Sequence, residues 1–418
     1  MEGSSSPAPP MAIQADLRHV IYALSDALDL VGVDDLGHGK RVGLMAVECA
    51  RTLGLPRQEA ALLFDLGMLH DLGVSSTQTR RRLVDSFDWE GSQDHCEAGH
   101  RLLGRFPPLA DLAPAVRWHP PRWDRLGDLD VDARTAIRTN LIFLLDRVDV
   151  RMSGQYGTRE VFRQAREVRD LVRAHAGTYF EPGLVEAFLE TSRSEAFWLL
   201  MEPRAVQAGL QDMLQQGRPF QAGMADLRAL AVIFAGIVDA KSPYTFQHSV
   251  GVARVARLLA RMLGDDPDTC DQVEIAGLLH DLGKLRVPDE ILDKPGRLDA
   301  DERTVINMHS FETYQILRRI KGFERITPWA AFHHEEPGGT GYPFHLGGGQ
   351  LSTEARLMRV ADVFQAMAQD RPYRRGLRVD QVLAFLDRMG RDGHLDRDIL
   401  AVAAGSPEET MAAAQGVG

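Results

Sequence analysis

Two adjacent imidazoles, His333 and His334, run into Glu335-Glu336-Pro337-Gly338-Gly339-Thr340-Gly341-Tyr342-Pro343, and upstream of them stands His280-Asp281-Leu282-Gly283-Lys284. Paired imidazoles beside a carboxylate and a glycine-rich turn are the materials of a metal site. His248, His309 and Asp362 extend the set. Seven nitrogen and oxygen donors of this mixture suit iron, manganese or zinc, and a carboxylate such as Asp281 can bridge two ions a few ångströms apart. Two ions so placed lower the pKa of a water and clamp a phosphoryl oxygen, which is what phosphodiester hydrolysis requires. Any one buried histidine is commonly a hydrogen-bonded core residue. Five of them with two carboxylates are harder to place without ions, because an unpaired buried Asp is costly.

Helices must carry these groups. Val252, Val255, Ala256, Leu259, Met262 and Leu263 form one stripe of period 3.6, and His248, four residues before Val252, falls on its buried face. Ile275, Leu278, Leu279 and Leu282 form a second stripe. His280 and Asp281, adjacent on a helix, point about 100° apart, so two ligands leave one turn. His309 is expected in a third helix with Phe311, Ile316, Leu317 and Ile320. His333 and His334 are expected to end a fourth, and Asp362 to lie in a fifth among Met358, Ala361 and Phe364. Alternating strand patterns are nearly absent, so the fold class is all-α.

The chain repeats itself. Gly67-Met68-Leu69-His70-Asp71-Leu72-Gly73 returns as Gly277-Leu278-Leu279-His280-Asp281-Leu282-Gly283, at an offset of 210 residues. That spacing signals internal duplication. The same offset pairs His38 with His248, and a small drift pairs His95 with His309 and Asp146 with Asp362. Two homologous domains are expected, over 12–200 and 224–405. Breaker residues at Glu202-Pro203 and from Gln215 to Pro219 mark a linker over 201–223, with a short helix from Arg204 to Leu214. Residues 1–11 read as a disordered tail, and 406–418 as a frayed one.

The bulk composition excludes other classes. Of 418 residues, 44% are apolar and 26% charged, as in globular chains, and the net charge of -11 offers no field for a nucleic-acid polymer. A small phosphate-bearing ligand, drawn by local cations, is favoured. Cys49, Cys96 and Cys270 are the only cysteines and form no CxxC pair, so a disulfide framework is not indicated and a reducing cytoplasm fits. Met1 to Pro10 has no signal-peptide pattern, and Ala229 to Val238 is about half the ~20 residues that span a bilayer. No membrane segment is expected.

Taken in order, Asp239-Ala240-Lys241-Ser242-Pro243-Tyr244-Thr245 before His248, then His280 to Lys284, Val287-Pro288-Asp289, Lys294-Pro295-Gly296, the run His333 to Pro343, and Asp370-Arg371-Pro372-Tyr373-Arg374 resemble the HD-GYP subgroup of the HD phosphohydrolases over about 225–405. The resemblance implies a bacterial phosphodiesterase that opens cyclic di-GMP or cyclic GMP-AMP to linear products, in an all-α fold of tandem HD bundles. It places the metal ligands on His248, His280, Asp281, His309, His333, His334 and Asp362, and two divalent ions, iron or manganese, between them. It assigns Lys284 to the scissile phosphate, Arg371 and Arg374 to the ligand's phosphates, and the Gly341-Tyr342-Pro343 loop to the ligand or to cyclase-domain partners. It leaves a homodimer open.

Departures from the pattern concern other positions. Members with a third ion carry Glu where Tyr244 stands, so two ions are expected. Gly338, Gln365 and Gly251 replace a usual Asp or Asn, Asp and Arg, which bears on rate and ligand preference. Two further readings stand beside the enzyme: a scaffold that binds the nucleotide or a cyclase without turnover, and hydrolysis of other nucleotides.

The first half keeps His38, His70, Asp71, His95, His119 and Asp146 as a second metal set. Val74 stands where Lys284 does, Trp118 precedes His119 where a second histidine would be, and Pro120-Pro121-Arg122-Trp123 replaces the glycine turn. A degenerate, regulatory HD domain is expected, with a mononuclear or weakly held metal; a second hydrolytic site is the alternative. Tandem arrangements of this kind resemble enzymes of cyclic GMP-AMP.

Overall fold

The computed structural model describes residues 17–31, 37–74, 76–85, 93–118, 122–215, 222–239, 241, 246–370 and 375–416. Helix follows helix throughout, and no strand occurs among the described residues. The all-α expectation holds.

Both halves are built around the same crossing. The helix His38–Thr52 packs on Arg57–Leu69 in the first, and Phe246–Leu263 packs on Pro267–Leu279 in the second. Glycine sets how close they come: a Cβ on Gly277 would lie 2.6 Å from the Ala253 Cα, and one on Gly67 2.6 Å from the Gly43 Cα. With no side chain between them, the backbones touch, and the first turn of one helix brings its histidine to the end of the other. Val252, Val255, Leu259, Val273 and Ile275 are wholly buried around the second crossing. Each such side chain contributes about 1.5–3 kcal/mol by leaving water. A third helix, Thr353–Ala368, lies across Phe246–Leu263 and buries Leu357, Met358, Val360, Ala361 and Phe364. Asp362 therefore faces the crossing.

The linker helix runs from Pro203 to Gln215 and docks on the first half, where Tyr22 Oη donates to Leu210 O at 2.7 Å and Arg18 Nη1 to Met213 O at 2.8 Å. At the far end the frayed tail expected from Ser406 is instead a helix, Pro407–Gln415. Proline at its first position and Glu408 and Glu409 in its first turn favour a helix start, and buried Met411 and Ala414 seat it on the His248 helix. Residues 1–11 lie outside the described residues.

The halves meet through apolar packing, where a Cβ on Gly236 would lie 2.8 Å from Leu102 Cδ2, and through polar contacts. Asp289 accepts from Ser76 Oγ of the first half at 2.9 Å and pairs with Lys241 at 3.2 Å, while Arg319 pairs with Asp26. No described helix is long and apolar enough to cross a membrane.

Candidate metal centre

Six of the seven expected ligands stand at helix ends or just beyond them rather than in helix interiors. His248 is in the first turn of Phe246–Leu263, His280 follows Pro267–Leu279, and Asp281 precedes the short 3-10 turn Leu282–Arg286. His309 opens His309–Leu317 directly after Ala300–Asn307. His333 and His334 do not end a helix as expected: they lie just beyond Ile326–Ala331. Only Asp362 is mid-helix.

The reason is hydrogen bonding. The last turn of a helix leaves carbonyls without partners, and three histidines use them. His280 Nδ1 donates to Gly277 O at 2.8 Å, His309 Nδ1 to Ile306 O at 2.6 Å, and His333 Nδ1 to Ala330 O at 2.7 Å. Each bond reaches back three residues. A proton held on Nδ1 leaves the Nε2 lone pair to face inward, the tautomer a metal ligand needs. Gly283 completes the packing, since a Cβ there would overlap the His309 carbonyl.

Asp281 divides what faces inward into two groups. Its Oδ2 lies 3.2 Å from His280 Nε2 and 3.9 Å from His248 Nε2, and His248 Nε2 is 3.1 Å from Asp362 Oδ1. Its Oδ1 lies 3.5 Å from His309 Nε2 and 4.0 Å from His333 Nε2. His248, His280 and Asp281 thus form one cluster of donors within 4.8 Å of one another, and His309, His333 and His334 form another. His280 Nε2 is buried and makes no hydrogen bond, which is a cost unless a cation fills the space. The donor set fits divalent metal ions, with Asp281 facing both clusters.

Protonation agrees with that fit. Burial pushes His309 down to about 4, and burial with the neighbouring imidazoles pushes His333 and His334 well below the usual range. Burial alone would raise the Asp281 carboxyl, but His280 and Lys284 hold it well below the carboxylate range, and His248 does the same for Asp362. Ionised carboxylates beside neutral imidazoles are what a cation requires. His280 moves the other way, raised against its burial by Asp281.

Lys284 Nζ lies 2.6 Å from Asp281 Oδ2, on the rim of the centre. Tyr342 stacks on His334 with ring centroids 4.8 Å apart, and burial and the Asp362 charge push its phenol up. Arg371, Arg374 and Tyr244 lie outside the described residues.

The first half builds a smaller version. His70 Nδ1 donates to Gly67 O at 2.8 Å, and Asp146 Oδ1 lies 3.2 Å from His38 Nε2 and 3.9 Å from His70 Nε2. Asp71 Oδ1 lies 3.5 Å from His70 Nε2 and 3.7 Å from His95 Nε2. Among the described residues His38, His70 and Asp146 form the one donor cluster of this half; His119 lies outside the described residues. Val74 is buried, yet the cation expected to be lost with the lysine is replaced: Arg80 Nη1 reaches Asp71 Oδ2 at 2.6 Å. Arg147 Nη2 pairs with Asp146 Oδ2 at 2.7 Å, and Arg41 Nε with Asp149 Oδ1 at 2.8 Å. Against burial and Arg80, Asp146 and Asp149 raise His38 to about 9.

Several partners escaped sequence reasoning. Gln365 Oε1 accepts from His248 Nδ1, and buried Glu335 accepts from Phe344 N at 2.7 Å and Leu346 N at 2.9 Å, fixing the loop after Tyr342. Arg359 Nη1 donates to His333 O at 3.3 Å and lies 3.3 Å from His334 Nδ1. Lys241 Nζ donates to Leu285 O at 3.0 Å, beside Lys284. Position three after Asp362 was the one readable signal, for Gln365.

A family profile described as HD domain matches residues 212–399. The chain is 36% identical to the 3'3'-cGAMP-specific phosphodiesterase 1 of Vibrio cholerae serotype O1, over 93% of this chain and 91% of that protein. It is 33% identical to 3'3'-cGAMP-specific phosphodiesterase 3 of the same organism over 54% of this chain and 50% of that one. With a cyclic di-GMP phosphodiesterase of Pseudomonas aeruginosa it shares 37% identity over 37% of each. A crystal structure of a V. cholerae cyclic GMP-AMP specific phosphodiesterase, V-cGAP3, has a TM-score of 0.65 at 24% identity and covers 94% of this chain and 98% of its own. The helical fold is shared.

Proposed function

Because the chain belongs to the HD-GYP family of cyclic-dinucleotide phosphodiesterases, we propose that its second half hydrolyses a cyclic dinucleotide, 3',3'-cyclic GMP-AMP before cyclic di-GMP, at a centre of two divalent ions. The observation that carries this is Asp281, with one carboxylate oxygen turned to His248 and His280 and the other to His309 and His333. The substrate preference rests on the near full-length likeness to a relative named for 3'3'-cGAMP.

Two divalent ions supply Lewis acidity at the phosphoryl oxygens and a lowered water pKa. A nitrogen and oxygen donor set suits iron, manganese or zinc, and the family resemblance favours iron or manganese among them. The chain's own groups do the rest. Carbonyls of Gly277, Ile306 and Ala330 orient the imidazoles before any ligand arrives, so little reorganisation remains at the moment of reaction. Lys284 offsets charge on the leaving sugar oxygen, and Arg371 and Arg374 hold the ligand's phosphates by paired donors. The Tyr342 phenol stays protonated as a donor. Water adds across one phosphorus–oxygen bond, its oxygen to phosphorus and its proton to the sugar oxygen, and a linear dinucleotide leaves.

The first half, proposed over 12–200, holds at most one ion at His38, His70 and Asp146 and regulates the second through Ser76, Asp289 and Lys241. Tyr342 turns inward, so a cyclase-domain partner would meet the exposed Thr340 and His345. Buried free cysteines fit a cytoplasmic site of action.

The test is turnover of cyclic GMP-AMP and cyclic di-GMP by the pure chain loaded with Mn2+ or Fe2+, with linear products separated by chromatography. Asp281→Ala is expected to lower turnover about 10³-fold, a barrier change of about 4 kcal/mol. Unchanged turnover in that variant, or none in the wild type, sinks the assignment.

A further inference from the structure

The two halves orient their first histidine by different means. In the first, His38 Nδ1 lies 2.8 Å from Asp149 Oδ2, and Asp149 is gripped by Arg41 and by Tyr156 Oη at 2.8 Å. In the second, His248 Nδ1 meets Gln365 Oε1. The positions correspond: Arg41 and Gly251 each stand three residues after their histidine, and Asp149 and Gln365 three after Asp146 and Asp362. A charged pair in one half is thus a glycine and an amide in the other.

The two exchanges depend on each other through a third element. A Cβ on Gly251 would lie 2.6 Å from Gln365 Cγ and 2.9 Å from the Ala414 carbonyl, in the helix Pro407–Gln415. An arginine at 251 would collide with backbone and has nowhere to go while that helix is docked. Without the arginine, an aspartate at 365 would be a buried carboxylate lacking its counter-charge, which is costly. A glutamine supplies the acceptor without the charge, and reaches one carbon further.

Building on the metal centre proposed above, we infer that Gln365 is a positioning residue that orients His248 towards the ion, and that the C-terminal helix, admitted by Gly251, is the wall that keeps it in place. The segment 407–415 is therefore part of the support of the site rather than an appendage.

Metal affinity of the full chain, measured by Mn2+ titration, tests this. Gln365→Leu, which removes the acceptor at similar volume, is expected to weaken one of two ions about 10–100-fold, the usual cost of removing such an orienting partner. Gln365→Glu, which keeps an acceptor at the same reach, is expected to bind more tightly than Gln365→Leu. Gly251→Arg is expected to weaken the same ion and to abolish hydrogen-exchange protection of amides 407–415. Equal affinities for the Leu and Glu variants, wild-type affinity in Gln365→Leu, or full protection in Gly251→Arg would overturn the inference. Failure of the wild-type chain to take up ions would sink the metal centre itself, which separates the two claims.

Discussion

Arg80 reaches back nine residues to Asp71 Oδ2 at 2.6 Å, the place on its aspartate that Lys284 takes on Asp281 Oδ2 at the same 2.6 Å. The cation has survived in the first half while changing residue type, helix and direction of approach. Two imidazoles approach the far oxygen in each half, His309 and His333 at Asp281 Oδ1 and His70 and His95 at Asp71 Oδ1. What differs among the described residues is that His309, His333 and His334 gather into a second donor cluster with no counterpart in the first half.

Lys284 touches the Asp281 carboxylate, and an ammonium offers no lone pair to a metal ion. Lys284→Met is expected to lower kcat about 10²-fold, the order found for loss of one preorganised donor, while ion content stays at the wild-type value. Parallel elemental analysis and initial rates check both parts.

Ion counting separates the halves. His280→Ala is expected to remove at least one tightly held ion per chain, because it empties the cluster of His248, His280 and Asp281. His70→Ala is expected to remove one at most and to leave turnover within a few-fold of wild type. Plasma emission spectrometry on the dialysed proteins decides between them.

Glu335 sets the loop that carries Tyr342 against His334. Glu335→Leu leaves the amides of Phe344 and Leu346 without their acceptor, at a cost of about 1–3 kcal/mol for each. Urea denaturation should show the loss, and exchange of those two amides should accelerate first.

Asp289 joins Ser76 of the first half to Lys241, which in turn holds the Leu285 carbonyl next to Lys284. Asp289→Ala is expected to lower turnover several-fold with both halves still folded. Circular dichroism and rates on one preparation test it; unchanged rates would argue that the first half does not act by this route.

Glu59 pairs with Arg138 and Arg134 and so ties the helix Arg57–Leu69, which His70 follows, to the helix carrying Asp146. Arg138 lowers its carboxyl from 4.5 to about 2. A depressed folded pKa means that its contribution is complete above pH 4.5 and is lost as pH falls towards 2. Glu59→Gln should flatten that part of the stability profile, read from urea midpoints at pH 7, 4 and 3, by a modest amount because the pair is partly solvated.

The sequence pattern picked out the residues that the fold brings together, since His, Asp and Gly at repeated spacings are visible without a fold. It misplaced how they are carried. His333 and His334 continue an apolar helical run, so they read as its end, and only the tertiary structure shows the chain turning before them. Arg80 could not be found by register because it replaces Lys284 from another helix. The last helix was missed because Ala-rich sequence with few large side chains resembles a tail until Met411 and Ala414 are seen buried.

The bonds from His280, His309 and His333 to carbonyls three residues back tie the angular setting of each ligand to the length of the helix before it. One residue inserted within Pro267–Leu279 would swing His280 by about 100° and carry it out of the cage, whereas many apolar exchanges along the same helix would leave its aim untouched. Over evolutionary time the centre should therefore tolerate wide drift in composition and almost none in spacing. The first half fits that expectation: it has exchanged a lysine, a histidine and a whole turn, yet His70 still stands three residues after Gly67.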